Sequence, residues 1–194
     1  MRRLLCGAIL LASGAAWAAS PAPKLKAGTF EPARMAPEIV QKAADGSTFE
    51  LSALRGKVVV LEFGFTHCYE VCPVSLAMLA EARRRLGADA SQLQVVFITV
   101  DPERDSPERM KTYLAQFDKG FIGLTGTPEQ MAAIRKDYGI TATKHPTGGS
   151  KTEYQMGHSS YLYFVDKQGK LRALMPYGRP ADDIVHDVKL LAKE

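Results

Sequence analysis

The feature that most constrains this chain is a β-branched run that ends in two closely spaced cysteines and a proline. Val58-Val59-Val60-Leu61-Glu62-Phe63 opens after Gly56-Lys57 and is apolar almost throughout. A short apolar run rich in β-branched residues reads as a buried central strand. It stops at Gly64, and Phe65-Thr66-His67-Cys68-Tyr69-Glu70-Val71-Cys72-Pro73 follows at once. Proline is favoured at the first helical position, and the residue before proline avoids the α region. This predicts Cys72 at a helix N-cap, with a helix from Pro73 to about Leu86. Leu76, Leu79, Ala80 and Arg83 fall on one stripe of that helix.

The rest of the chain continues the alternation. Leu93 to Val100 is a second apolar strand. Asp105-Ser106-Pro107-Glu108 starts a helix that runs to about Phe117, and Phe121 to Leu124 is a short strand. Thr127-Pro128-Glu129-Gln130 is a capping-box start for a helix that ends before Gly139. Residues 141–153 are polar, contain Pro146, Gly148 and Gly149, and read as an exposed, mobile loop. Ser160 to Val165 is a strand, Asp166 to Gly169 its turn, and Lys170 to Met175 the returning strand. A last helix covers roughly Pro180 to Leu191. Such an order argues for an α/β sheet covered on both faces, with the early strands parallel. Two cysteines between the first core strand and its helix make the layout thioredoxin-like. An N-terminal hairpin extension (residues 46–54, Gly46 at its turn) and a β-hairpin near the C-terminus complete the expected fold.

A chain of 194 residues, 46% hydrophobic, suits one ordinary domain with a real core. Residues 1–18 read as a signal peptide: Arg2-Arg3, an apolar stretch from Leu4 to Ala15, and Ala16-Trp17-Ala18 as a small-x-small cleavage site. The stretch is short and rich in Gly and Ala for a membrane span; an uncleaved anchor is the alternative. Export points to a bacterial periplasm. Residues 19–37, with Pro21, Pro23, Gly28, Pro32 and Pro37, read as a flexible tether, and 38–194 as the folded domain. Without Arg2 and Arg3, 23 basic residues face 21 acidic ones, a net charge of +2. That balance excludes a nucleic-acid footprint. The run Arg83-Arg84-Arg85 complements the end of a helix dipole instead.

Cleavage removes Cys6 and leaves Cys68 and Cys72. The loop they would close is too small for a bridge to stabilise a domain of this size. In an oxidising compartment such a pair is a redox couple or a metal site. At a helix N-terminus both sulfurs sit in a field that favours thiolate, which is the nucleophile and the metal ligand alike. The C-x-x-x-C spacing allows a disulfide and also allows both sulfurs to converge on one ion. Two thiolates suit copper(I), which is soft and needs few ligands. His158, just before the Ser160–Val165 strand, is the candidate third ligand, because a thioredoxin-like layout brings that loop end beside the cysteine turn. Imidazole also stabilises copper(II). Structural zinc would want a fourth ligand.

Three blocks resemble the Sco/SenC family, thioredoxin-fold copper proteins associated with cytochrome c oxidase assembly. They are Gly64-Phe65-Thr66-His67-Cys68 through Cys72-Pro73, Asp101-Pro102-Glu103-Arg104-Asp105, and Gly157-His158-Ser159. Phe121-Ile122-Gly123-Leu124-Thr125-Gly126 is also similar, and the resemblance covers roughly residues 38–192. It implies Cys68, Cys72 and His158 as ligands of one copper per monomer, as Cu(I), Cu(II) or both. Where the family usually has Pro-Asp between the cysteines this chain has Tyr69-Glu70. Many members carry an acid where this chain has Gly157. Glu70 keeps the negative charge. Asp101, at the end of the second strand, is a supporting or docking residue, and Asp105 is either that or a helix cap. His67 should point away from its neighbour Cys68, and Met156 reads as core packing. His145 and His186 have no cluster around them.

The reading this supports is a periplasmic metallochaperone. It delivers copper to the binuclear copper site of a cytochrome c oxidase subunit, directly or with another periplasmic copper carrier. The alternative is a thiol–disulfide oxidoreductase in which Cys68 and Cys72 reduce the cysteines of the apo copper site. A thiol peroxidase would need a Pro-x-x-x-Thr-x-x-Cys pocket that the sequence does not show.

Overall fold

A computed structural model describes residues 24–149 and 153–194. The signal peptide read at 1–18, with Cys6, lies outside the described residues. In chain order the elements are β1 (Gly28–Met35), β2 (Val40–Lys42), β3 (Thr48–Glu50), β4 (Val58–Gly64), α1 (Val71–Leu86), β5 (Leu93–Thr99), α2 (Pro107–Leu114), β6 (Ile122–Leu124), α3 (Pro128–Tyr138), β7 (Ala142–Pro146), β8 (Tyr154–His158), β9 (Tyr161–Val165), β10 (Lys170–Pro176) and α4 (Ala181–Lys193).

Six strands form the main sheet in the order β1-β10-β9-β4-β5-β6. β4, β5 and β6 run parallel, and β9 lies antiparallel to β4 on its other side. Every residue of β4 is buried, as its unbroken apolar run predicts for a strand paired on both sides. α1 and α4 pack together. Ser106 caps α2 by accepting from the Arg109 amide at 3.2 Å. Thr127 and Gln130 close a capping box on α3, which ends at Gly139 with φ +68°. The α/β, thioredoxin-like arrangement is therefore present.

The structure corrects the sequence reading in four places. Residues 28–35 are not tether: they form β1, antiparallel to β10, from Gly28 opposite Leu174 to Met35 opposite Lys170. Pro32 is accommodated because β1 is an edge strand whose register shifts between Thr29 and Arg34. The amides of Lys26 and Ala27 donate to the buried Asp187 carboxylate of α4 at 2.7 and 2.9 Å, so the chain is already held ahead of β1. Second, α1 starts at Val71 with Glu70 at the N-cap. Cys72 lies inside the first turn, where Pro73 costs no hydrogen bond because those N–H groups have no helical partner. Third, residues 142–146 of the expected loop are a strand, pairing antiparallel with residues 154–158 as β7–β8, with Ala142 opposite His158. Fourth, the N-terminal hairpin begins earlier than residue 46. β2 and β3 pair from Val40–Glu50 to Lys42–Thr48 around Gly46, whose φ of +89° favours glycine. Ala44 donates to the Gly123 carbonyl at 2.8 Å, which covers the outer edge of β6. No helix among the described residues is long and apolar enough to cross a membrane.

Asp187→Ala should leave two amides without an acceptor and cost about 1–3 kcal/mol. The check is denaturant unfolding together with hydrogen exchange, in which the amides of residues 26–35 should lose protection first.

Candidate metal centre

The cysteine loop leaves the sheet at Gly64. A side chain there would put its Cβ 2.6 Å from the Phe97 ring and 2.8 Å from Cys72 Sγ, so only glycine lets α1 pack this close. The loop is then pinned at Thr66. The Asp105 carboxylate, fully buried, accepts from the Thr66 amide at 3.1 Å, from Thr66 Oγ1 at 2.6 Å and from Thr99 Oγ1 at 2.6 Å. Arg109 Nε donates to Thr66 Oγ1 at 2.6 Å. Asp105 is thus neither helix cap, a role Ser106 takes, nor a surface residue. It anchors the segment that carries Cys68.

Cys68 is half-buried, Cys72 is 1% exposed, and both are free thiols. The Cys72 amide donates to Cys68 Sγ at 3.3 Å, and the Cys72 thiol hydrogen-bonds to the same sulfur. That thiol donor holds Cys68 down to about 5 against the opposing effect of burial, helped by the amides of Cys72, Glu70 and Val71 at the start of α1. Cys72 is pushed far up, first by its bond to Cys68, then by burial and by the charges of Glu62 and Cys68. The pair is therefore one thiolate, accessible, and one thiol, inaccessible.

His158 ends β8. Its ring stands edge-on to Phe65 at 5.8 Å between centroids. Nδ1 lies 3.0 Å from the Ser159 carbonyl. A carbonyl only accepts, which assigns the proton to Nδ1 and leaves the Nε2 lone pair free for a ligand. His158 and Cys72 line one narrow cleft with Glu62, Ser75 and Tyr161. The structure thus joins the two sulfurs and sets the imidazole on the cleft of the second. Among the described residues, no three Cys, His, Asp or Glu side chains stand close enough together to hold a metal ion as they are. The donors themselves, one thiolate, one thiol and a free imidazole nitrogen, are chemically suited to copper.

The remaining residues separate clearly. His67 turns toward Asp105, 3.8 Å away, rather than toward the cleft. Burial, followed by Arg109 and Arg104, lowers its pKa. Met156 packs against the core. Glu70 is exposed at the N-cap without a capping bond. Asp101, also buried, accepts from Tyr154 and Arg104. A cavity of about 570 Å³ lies between the β2–β3 hairpin, α2 and β6, and shares no residue with the cleft.

Sequence reasoning missed Glu62. It is buried in β4, Oε2 has no hydrogen-bond partner, and burial raises it to about 8, opposed by a bond from Ser75 and aided by the charge of Cys68. The available signal was an acid inside an otherwise apolar strand.

Two outcomes follow from these environments. Iodoacetamide should modify Cys68 with an inflection near pH 5 and spare Cys72 in the folded protein, as peptide mapping would show. For Glu62 the folded value, about 8, lies above the ordinary 4.5. The folded state then binds more protons between those limits, and stability falls as pH rises from about 5 to 8. Glu62→Gln should flatten that decline, gaining up to about 4 kcal/mol at pH 8, as read from urea unfolding at each pH.

Comparison with known proteins identifies the family. The SCO1/SenC family profile matches residues 31–193. A SCO2-like protein of Rickettsia felis is 34% identical over 126 residues, covering 65% of this chain and 62% of that protein. The mitochondrial SCO2 homolog of Mus musculus is 36% identical over 137 residues, covering 70% of this chain and 53% of its own. The chain thus matches between half and two thirds of these relatives' lengths. Bradyrhizobium japonicum ScoI, solved with copper bound, superposes with a TM-score of 0.74 at 34% identity, covering 81% of this chain and 99% of that one. The chain belongs to the SCO1/SenC family.

Proposed function

We propose that this protein is a periplasmic copper-binding assembly factor. It takes up one copper ion per monomer through Cys68, Cys72 and His158 and passes it to the binuclear copper site of a cytochrome c oxidase subunit, directly or with another periplasmic copper carrier. The observation that carries this reading is the donor set: a low-pKa Cys68 thiolate hydrogen-bonded to Cys72, with the His158 ring, its Nδ1 turned to the Ser159 carbonyl, on the same cleft as Cys72. Copper-loaded ScoI of B. japonicum supports it, as does the family to which the motif blocks belong.

Cys68 and Cys72 bind Cu(I) as thiolates, so loading releases the Cys72 proton. His158 adds a nitrogen donor that also suits Cu(II). Release proceeds by exchange, as the recipient's ligands replace these one at a time. Cys68 is the more open of the two sulfurs and is the first to meet a recipient. Glu70, exposed beside it, offers a charged docking contact. Asp101 and Asp105 support the site from behind. Export through residues 1–18 would place the protein where such a subunit exposes its copper site.

A second reading is favoured by the asymmetry of the thiols. A half-buried, reachable thiolate beside a buried thiol is the arrangement a thiol–disulfide oxidoreductase needs. Cys68 attacks a partner disulfide, one partner sulfur leaves as thiolate, and Cys72 resolves the mixed disulfide. The partner gains two electrons, and this chain keeps a Cys68–Cys72 disulfide.

Anaerobic titration with copper separates the two. Under the first reading the protein binds one equivalent, shows thiolate-to-copper charge-transfer absorption as Cu(II), and loses that band in His158→Ala while disulfide exchange survives. Normal binding and an unchanged band in His158→Ala would remove the imidazole from the ligand set. Absence of copper binding by the wild-type protein would leave the oxidoreductase.

A further inference from the structure

The β7–β8 hairpin that carries His158 is not part of the main sheet. Beyond the two-residue link from His158 to β9, its position relative to the cysteines comes from side-chain contacts. Those contacts converge on the loop between β5 and α2. Tyr154, the first residue of β8, donates its hydroxyl to Asp101 Oδ1 at 2.7 Å. Arg104 Nε donates to Asp101 Oδ2 at 2.5 Å, and Arg104 Nη1 donates to the Tyr154 carbonyl at 3.0 Å. The same guanidinium lies 3.7 Å above the Tyr154 ring and 6.0 Å from the Phe65 ring, and Phe65 meets His158 edge-on. From the opposite strand, Lys144 pairs with Glu103 at 2.5 Å and sits 4.8 Å over the Tyr154 ring.

We propose that Asp101, Arg104 and Tyr154 are positioning residues that set where the hairpin holds the His158 imidazole relative to the two sulfurs. The inference rests on the copper reading above. Its basis is that one short loop grips both ligand-bearing segments. Asp105 holds the cysteine loop through Thr66, and Asp101, four residues earlier, holds the histidine hairpin through Tyr154. The loop is itself stiff: the Asp101 amide donates to Thr99 Oγ1 at 2.9 Å, and the amides of Arg104 and Asp105 donate back to the Asp101 carbonyl. Asp101 is 1% exposed and Tyr154 6%, so the hydroxyl–carboxylate bond is shielded from water and competes with no solvent partner. None of the three donates an atom to the metal. They act only through the ring they place, in the way outer residues of metal sites orient the ligands themselves.

Tyr154→Phe removes one hydroxyl and keeps the ring beneath Arg104. The experiment is a double-mutant cycle on copper affinity, measured by competition with a chromophoric chelator, in wild type, Tyr154→Phe, His158→Ala and the double variant. Tyr154→Phe should weaken binding about tenfold when His158 is present and leave it unchanged within about twofold when His158 is absent. In copper-free protein, hydrogen exchange should quicken over residues 154–158 while the rate of Cys68 alkylation stays constant. Equal losses in both backgrounds, or no loss in wild type, would overturn the proposal alone. A wild-type protein that binds no copper would overturn the functional reading, and this one with it.

Discussion

The cleft depends on one buried carboxylate. Asp105 takes three hydrogen bonds from the side chains of Thr66 and Thr99 and the amide of Thr66, and its own carbonyl accepts from Thr125 Oγ1 at 2.7 Å. It thereby ties the segment after β4 to β5, to α2 and to the strand-end after β6. A buried charge is tolerable only when its acceptor sites are occupied, and here the occupants are the groups whose positions define the cysteine loop. The loop is irregular backbone at the end of a buried strand, and it would otherwise have no reason to adopt one shape.

Given that shape, the chemistry of the sulfurs follows from where each falls on α1. Cys68 lies ahead of the helix and receives its free amides. Cys72 lies within the first turn, against the sheet and beside Glu62. The same five residues of chain thus make one sulfur acidic and half-buried and the other reluctant and buried. Both proposed roles, metal uptake and disulfide exchange, would draw on that difference.

Much of this was legible in the residues. The buried β4 run, the capping signals of α2 and α3 and the parallel order of β4, β5 and β6 all came from local patterns that agree with the tertiary structure. The layout predicted His158 beside the cysteine turn, and the structure sets it on the cleft of Cys72 without bringing three donors together among the described residues. β1 was hidden because it is mostly exposed on an edge and contains Pro32; it carries little hydrophobic alternation to detect. β7 was hidden for the same reason, its residues being half-buried or exposed. The helix start shifted because a proline is as harmless at the third helical position as at the first. Asp105 resembled a cap in the sequence, and nothing local distinguishes a cap from a carboxylate that turns inward to two threonines. Glu62 needed knowledge of what stands above β4.

The pairing of β1 with β10 has a consequence for how the domain is made. The first strand of the sheet and nearly the last segment of the chain are neighbours, and β9 inserts between β10 and β4 only after residues 161–165 exist. The sheet therefore cannot close until residues 161–176 have been made. Such distant pairings make assembly slow relative to local structure. Closure of the sheet therefore waits on its C-terminal strands, even where β4, β5 and β6 have already paired.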